Sequence, residues 1–148
     1  MLTCRPIRAD EYAAAARLVL AGFRADTAAS MEPEGVVVFE AFAAAAAIRA
    51  RDEAGGRTFI ALLGDDLAGV LHVVRGDHVS LFFVDPARQH QGIGAALFAT
   101  ADAAGRLASV NSSLNAVGAY ERLGFRATGA ADLRDGIRFV PMARQPAV

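Results

Sequence analysis

The sequence predicts an α+β fold of the mixed α/β kind: a central, mostly antiparallel sheet with helices on both faces and one parallel, splayed pair of strands. Three observations lead there. Apolar residues recur with helical spacing up to Gly55-Gly56 and with strand-like spacing beyond it. Three short apolar runs then follow one another across the polar turns Gly64-Asp65-Asp66 and Arg75-Gly76-Asp77, the pattern of an antiparallel meander. Finally, Leu81 to Val110 reads strand, glycine turn, helix, strand, and a helix between two strands implies a right-handed crossover, hence a parallel pair.

In chain order, Thr3 to Ile7 is the first strand, and Arg8-Ala9-Asp10 supplies a cap for a helix with Glu11 in its first turn and its end near Phe23. Pro33-Glu34 suits the opening turn of a second helix, which continues through Phe39, Phe42 and Ile48 to about Arg51. The meander is Thr58 to Leu63, Leu67 to Val74 and His78 to Val84. Asp85-Pro86 stops it, and a third helix runs from Ile93 to about Gly105 with Ile93, Leu97, Phe98 and Ala101 on one face. Leu107 to Val110 is the strand parallel to His78 to Val84. Ser112 or Ser113 caps a fourth helix, Leu114 to Leu123, which Gly124 ends in a left-handed conformation. Phe125 to Thr128 and Ile137 to Ala143 close the sheet, joined by a polar loop from Gly129 to Gly136.

The 148 residues suit one domain with a real core, and 54% hydrophobic against 21% charged residues is a globular balance. A net charge of -1 gives no electrostatic reason to expect nucleic acid or an anionic membrane as partner. The single cysteine, Cys4, excludes an internal disulfide and argues against a cysteine-based zinc site, so no metal and a cytoplasmic setting are expected. No uncharged apolar stretch reaches the ~20 residues of a membrane span.

The chemistry is concentrated between Leu81 and Ala96. A strand feeding a glycine turn and a helix start aims several backbone N–H groups at one point, with the positive end of the helix dipole behind them, which makes an anion site. Side chains at Gly92 or Gly94 would hold a phosphate off that backbone. A nucleoside triphosphatase loop needs a lysine and a hydroxyl after the second glycine, and neither follows Gly94. A dinucleotide fold wants a small residue where Leu97 stands and a long βαβ array, and three meander strands precede this turn. The third reading is acyl-coenzyme A. Val84-Asp85-Pro86 followed by Gln89-His90-Gln91-Gly92-Ile93-Gly94 resembles the pyrophosphate loop of the GNAT N-acetyltransferase superfamily, Gln/Arg-x-x-Gly-x-Gly/Ala after a strand ending Val-x-Pro. A second block, Ser113 to Phe125 with Ala116, Tyr120 and Gly124 in place, resembles the family's Asn-x-x-Ala-x-x-x-Tyr-x-x-x-Gly-Phe. It departs at Ser113, where the family often has Asn; Asn111 or Asn115 would have to replace that amide.

The resemblance implies that residues 1–148 form one GNAT-like domain that transfers acetyl from acetyl-CoA to a primary amine of a small molecule or protein, with a homodimer compatible with it. Cofactor contacts are expected from strand backbone at Phe82, Phe83 and Val84, from the N–H groups of Gln89, His90, Gln91, Gly92, Ile93, Gly94 and Ala95, and from Asn115 and Tyr120, with Arg88 adding charge at the rim. Small side chains at Ser113 and Ala116 would share the helical face of Tyr120. Tyr120 is then the acid that protonates the departing thiolate. His78, on the face that simple alternation gives to Ser80 and Phe82, is the expected base, with Glu40 and a water chain as alternatives; His90 contributes backbone and His72 is structural. Cys4 lacks a basic partner and is discounted as a nucleophile. The segments Ala25 to Pro33 and Gly129 to Gly136 flank the acceptor, where Asp26, Glu32, Asp132 and Asp135 would attract a cationic amine. The rival function is a non-catalytic acyl-CoA-binding or regulatory module.

Overall fold

In the computed structural model, which describes residues 1–145, eight strands share one sheet. They are β1 (Leu2–Pro6), β2 (Arg57–Leu63), β3 (Asp66–Val74), β4 (His78–Val84), β5 (Ser109–Ser112), β6 (Phe125–Ala127), β7 (Asp132–Arg134) and β8 (Ile137–Arg144). The spatial order is β1-β2-β3-β4-β5-β8-β6, with β7 paired to β8. Every pairing is antiparallel except that of β4 with β5. The helices are α1 (Tyr12–Asp26), α2 (Pro33–Phe42), α3 (Ala45–Glu53), α4 (Ile93–Ala104) and α5 (Val117–Arg122).

Two cores hold the helices to the sheet. On one face Ala15, Leu18 and Val19 of α1 and Ile48 of α3 meet Ile60, Val70 and Leu81. The α1 residues recur at the i, i+3, i+4 spacing that puts them on one stripe. On the other face Leu97, Phe98 and Ala101 of α4 and Tyr120 of α5 meet Phe59, Leu71, Val73, Val110 and Phe125.

Several expectations are corrected locally. Asp10 does not cap α1. The helix begins at Tyr12, and the Glu11 carboxylate accepts the Arg8 N–H at 2.7 Å and both Arg5 guanidinium nitrogens at 2.8 and 2.7 Å, which ties β1 to the helix start. The expected second helix is two: Ala44 has ψ 145°, so the chain leaves helical geometry there and restarts as α3. The parallel strand is Ser109–Ser112 rather than Leu107 to Val110. Neither Ser112 nor Ser113 caps α5, which starts at Val117; Ser113 lies before it in a turn whose carbonyl accepts Ala116 N–H at 3.2 Å, so it shares no helical face with Tyr120. The polar loop contains β7, which turns into β8 through Asp135 and Gly136 at φ 54° and 80°, a two-residue hairpin of the left-handed kind.

The feature that shapes the site lies in β4. From Gly69–Val84 to His72–Leu81 it pairs residue for residue with β3, but the next partners are Val73 and Val79, so Ser80 is an extra residue on β4. This bulge reverses the side-chain alternation: Val79 packs in the α4 core and Leu81 in the α1 core. His78 therefore lies beside its cross-strand partner Val74 on the α1 and α3 face, and not on the face of Phe82 as unbroken alternation predicts. A bulge also bends its strand. β4 and β5 pair only at His78–Ser109 and Val79–Val110, and past Val79 they part.

Candidate active site

From Leu81 to Val84, β4 has β3 along one edge and, among the described residues, no strand along the other. The Asp85 N–H donates to Ala68 O at 2.8 Å on the β3 side. Since peptide groups alternate in direction along a strand, Phe83 also turns its amide to β3, while Phe82 and Val84 turn theirs to the open edge. Their side chains divide likewise, Phe82 and Val84 toward α4 and Phe83 toward α1.

Beyond β4, Asp85 Oδ1 accepts the Ala87 N–H at 3.0 Å and holds a single helical turn, Pro86–Arg88. The chain returns through Gln89, His90 (φ 64°) and Gln91 to Gly92 (φ 77°), the residue that precedes α4. Gly92 is needed for that left-handed conformation and has no side chain with which to cap the helix. The Ala96 N–H makes the first helical bond, to Gly92 O at 3.1 Å. The N–H groups of Ile93, Gly94 and Ala95 have no helical acceptor and gather at the positive end of a 12-residue helix. The Ile93 side chain is in the core, so only its backbone faces this point. Arg88 is paired with Asp66 at 3.1 Å and Asp85 at 3.7 Å, which offsets the rim charge expected of it.

A cleft of about 900 Å³ joins these parts, lined by Val79 to Val84, Gln89 and His90 and, across the gap, by Val110, Asn111 and Tyr120. The Tyr120 ring stands edge-on to Phe82 and Phe125, with centroids 6.2 and 5.6 Å away. Burial pushes its pKa up, so the phenol is protonated at neutral pH. His78 also lines the cleft, with Nδ1 2.8 Å from Ser109 Oγ; burial, and then the positive charge of Arg75, hold its pKa below the ordinary value. The imidazole is thus neutral at pH 7. Asn115 Nδ2 donates to the Asp26 carbonyl at 2.9 Å and links the β5–α5 turn to the end of α1.

Residues 27–146 match the family model described as an acetyltransferase (GNAT) domain. The chain belongs to the GNAT acetyltransferase family. No curated protein matches it in sequence. Among solved structures it is similar to a GCN5-related N-acetyltransferase of Rhodopseudomonas palustris (24% identity, TM-score 0.75, 97% of this chain and 95% of that one). A protein of Corynebacterium glutamicum described as histone acetyltransferase HPA2 and related acetyltransferase aligns over 99% and 97% at 20% identity and TM-score 0.77. The PaiA N-acetyltransferase of Thermoplasma acidophilum, solved in complex with coenzyme A, aligns over 98% and 99% at 14% identity and TM-score 0.73.

Within this GNAT domain the structure brings Phe82, Phe83, Val84, Gln89, His90, Asn115, Tyr120 and His78 to one cleft, while Gln91, Gly92, Ile93, Gly94 and Ala95 follow His90 along the chain and do not line it. It places the other residues differently. Glu40 is paired with Arg24 at 3.1 Å on the surface. Cys4 lies on β1 against the α4 core, where burial raises its pKa. His72 is fully buried beneath α3. Of the four acidic residues expected near the acceptor, Asp26 and Asp135 line the cleft. Glu32 is engaged by Arg138 at 3.2 Å, and Asp132 turns its carboxylate to the Leu133 N–H at 2.7 Å. Sequence reasoning missed the arginines, Arg51, Arg75, Arg134 and Arg138, which line the same cleft. The Asp135-Gly136 dipeptide is the signal that would have placed Arg134 and Arg138 on a hairpin.

Proposed function

We propose that the protein is an acetyl-CoA-dependent N-acetyltransferase that passes acetyl directly from the thioester to a primary amine of a small molecule or protein. The observation that carries this reading is one cleft lined by an unpaired strand edge at Phe82 and Val84 and by a buried phenol, Tyr120, with Gln89 and His90 leading from it along the chain to an uncapped helix start at Gly92. Acetyl-CoA supplies the activated acetyl group. The N–H groups from Gln89 to Ala95 fit a diphosphate, being donors with no acceptor at a helix dipole. The open-edge amides of Phe82 and Val84 fit the amides of the pantetheine arm, and one of them holds the negative charge that develops on the carbonyl oxygen.

Tyr120 and His78 stand on opposite faces of the sheet where β4 and β5 part, so each attends one reactant. With Nδ1 donating to Ser109 Oγ, Nε2 of His78 takes a proton from the acceptor ammonium. The free amine adds to the thioester carbon, Tyr120 gives its proton to the sulfur as the carbon–sulfur bond breaks, and the second proton shed by the new amide nitrogen restores the phenol. The test is release of free coenzyme thiol from acetyl-CoA with a panel of primary amines. Acceptor-dependent release supports the reading, whereas tight coenzyme A binding without release from any acceptor favours the non-catalytic module.

A further inference from the structure

Arg51 is a cation at the wall of the cleft with no carboxylate in contact with it among the described residues. It follows from α3, whose next residue, Asp52, reaches into a buried polar chain. Tyr12 O–H and Thr58 O–H both donate to Asp52 Oδ2, at 2.6 and 2.7 Å, and Thr58 Oγ1 is 2.8 Å from His72 Nδ1. Because Thr58 spends its hydrogen on Asp52, the proton between Thr58 and His72 belongs to Nδ1, which leaves Nε2 as an acceptor. Arg51 Nε donates to that Nε2 at 3.0 Å, Nη2 donates to the Phe42 carbonyl, and the guanidinium lies 3.6 Å from the centroid of the Phe42 ring. The plane of the guanidinium is therefore set from behind by an imidazole nitrogen, a carbonyl oxygen and an aromatic face.

No carboxylate contacts it among the described residues: none lies within 4.0 Å of Arg51, and Nη1 has no partner among them. Burial depresses its pKa, and the field of the neighbouring Asp52 carboxylate offsets only part of that cost. A partly desolvated guanidinium that keeps Nη1 and the second hydrogen of Nη2 free is suited to a planar carboxylate, which those two nitrogens bind through two parallel hydrogen bonds. The other charged residues of the cleft are Asp26 and Asp135, and Arg75, Arg134 and Arg138, so its wall meets both signs of charge. Arg51 stands over His72, which is the cross-strand partner of Leu81, one residue from the bulge at Ser80 where the strands part.

We infer that the acceptor is an amino acid or a close analogue, with a carboxylate a few bonds from its reacting amine, and that Arg51 binds that carboxylate. This rests on the acetyltransferase reading and adds the chemical class of its acceptor.

The experiment measures thiol release from acetyl-CoA with α-, β- and γ-amino acids and, in parallel, with the corresponding neutral amino amides. The wild-type protein is expected to favour at least one carboxylate over its amide by about 10- to 100-fold in kcat/KM, the range for a bidentate charged contact. In Arg51→Gln that ratio collapses toward one. The ratio is internal to each variant, so a general loss of folded protein does not alter it; the wild-type ratio decides the carboxylate preference, and Arg51→Lys, which keeps the charge but not the planar fork, provides a second variant for the assignment to Arg51. Equal rates for acids and amides in the wild type would overturn the carboxylate assignment while leaving acetyl transfer intact. A preference that survives Arg51→Gln would overturn the assignment to Arg51. Thiol release from no acceptor at all would refute acetyl transfer itself, and the acceptor class with it.

Discussion

Alanine substitutions at two glycines of matched conformation separate backbone strain from ligand binding. Gly92 and Gly64 have φ 77° and 60°, and a Cβ built at either meets no atom within 4 Å. The cost to the folded protein is thus the left-handed conformation alone, about 1–2 kcal/mol for an alanine. In a domain of this size that lowers Tm by about 2–8 °C in each variant. Only Gly92 stands at the uncapped start of α4, where a methyl group would occupy the approach to the free N–H groups. Loss of charge-assisted hydrogen bonds there is worth about 1.5–3 kcal/mol, or roughly 10- to 150-fold in affinity. Coenzyme A is titrated calorimetrically into both variants below their melting temperatures. Gly92→Ala is expected to bind at least tenfold more weakly than wild type, and Gly64→Ala as wild type does. Equal affinity in the two variants, at equal loss of Tm, would refute the reasoning that places the diphosphate on this loop.

Tyr120→Phe keeps the edge-on contacts with Phe82 and Phe125, so its Tm stays within a few degrees of wild type while kcat falls by about tenfold or more and coenzyme A affinity is retained; an unchanged kcat removes Tyr120 as the acid. Because burial and Arg75 hold the His78 pKa below 6.5, the imidazole stays neutral above that pH, and the acid limb of kcat/KM lies below it. Arg75→Gln removes the repulsion and moves that limb to higher pH, and a pH profile that does not respond argues against His78 as the base. Burial alone would raise the Asp52 pKa, but the His72 imidazole 3.4 Å away and hydrogen bonds from Tyr12 and Thr58 outweigh it and hold the carboxyl below its ordinary 3.8. Its stabilisation is therefore complete above about pH 4 and is lost as the pH falls below that value. Acid unfolding monitored by circular dichroism should show a shallower decline in Asp52→Asn than in wild type, and identical slopes would contradict the role given to this network.

What could be read from the sequence follows from how locally each feature is determined. The parallel pair, the meander and the left-handed Gly124 are all set by short-range patterns: turn residues at Gly64 to Asp66, alternation within strands, and a glycine where a helix must end. The break between α2 and α3 has no such mark, because Ala43 and Ala44 are strong helix formers and the chain departs from helical geometry only to pack Ala43 and Ile48 in the same core. The bulge at Ser80 is similarly silent, since the misalignment of β3 and β4 belongs to the pair and not to either strand. That one residue put His78 on the wrong face in the sequence reading. Arg51 illustrates the same limit: a basic residue near a helix end usually faces solvent, and its place in the cleft depends on His72 and Phe42, distant in sequence or on a separate helix.

The central claim concerns backbone amides, and an ¹⁵N-labelled sample titrated with coenzyme A reads them one by one. The account predicts that the largest amide shifts fall at Phe82, Val84 and Gly92 to Ala95, with little change at Phe83, whose N–H is turned to β3. Shifts gathered elsewhere on the domain, with these amides unmoved at saturation, would contradict it.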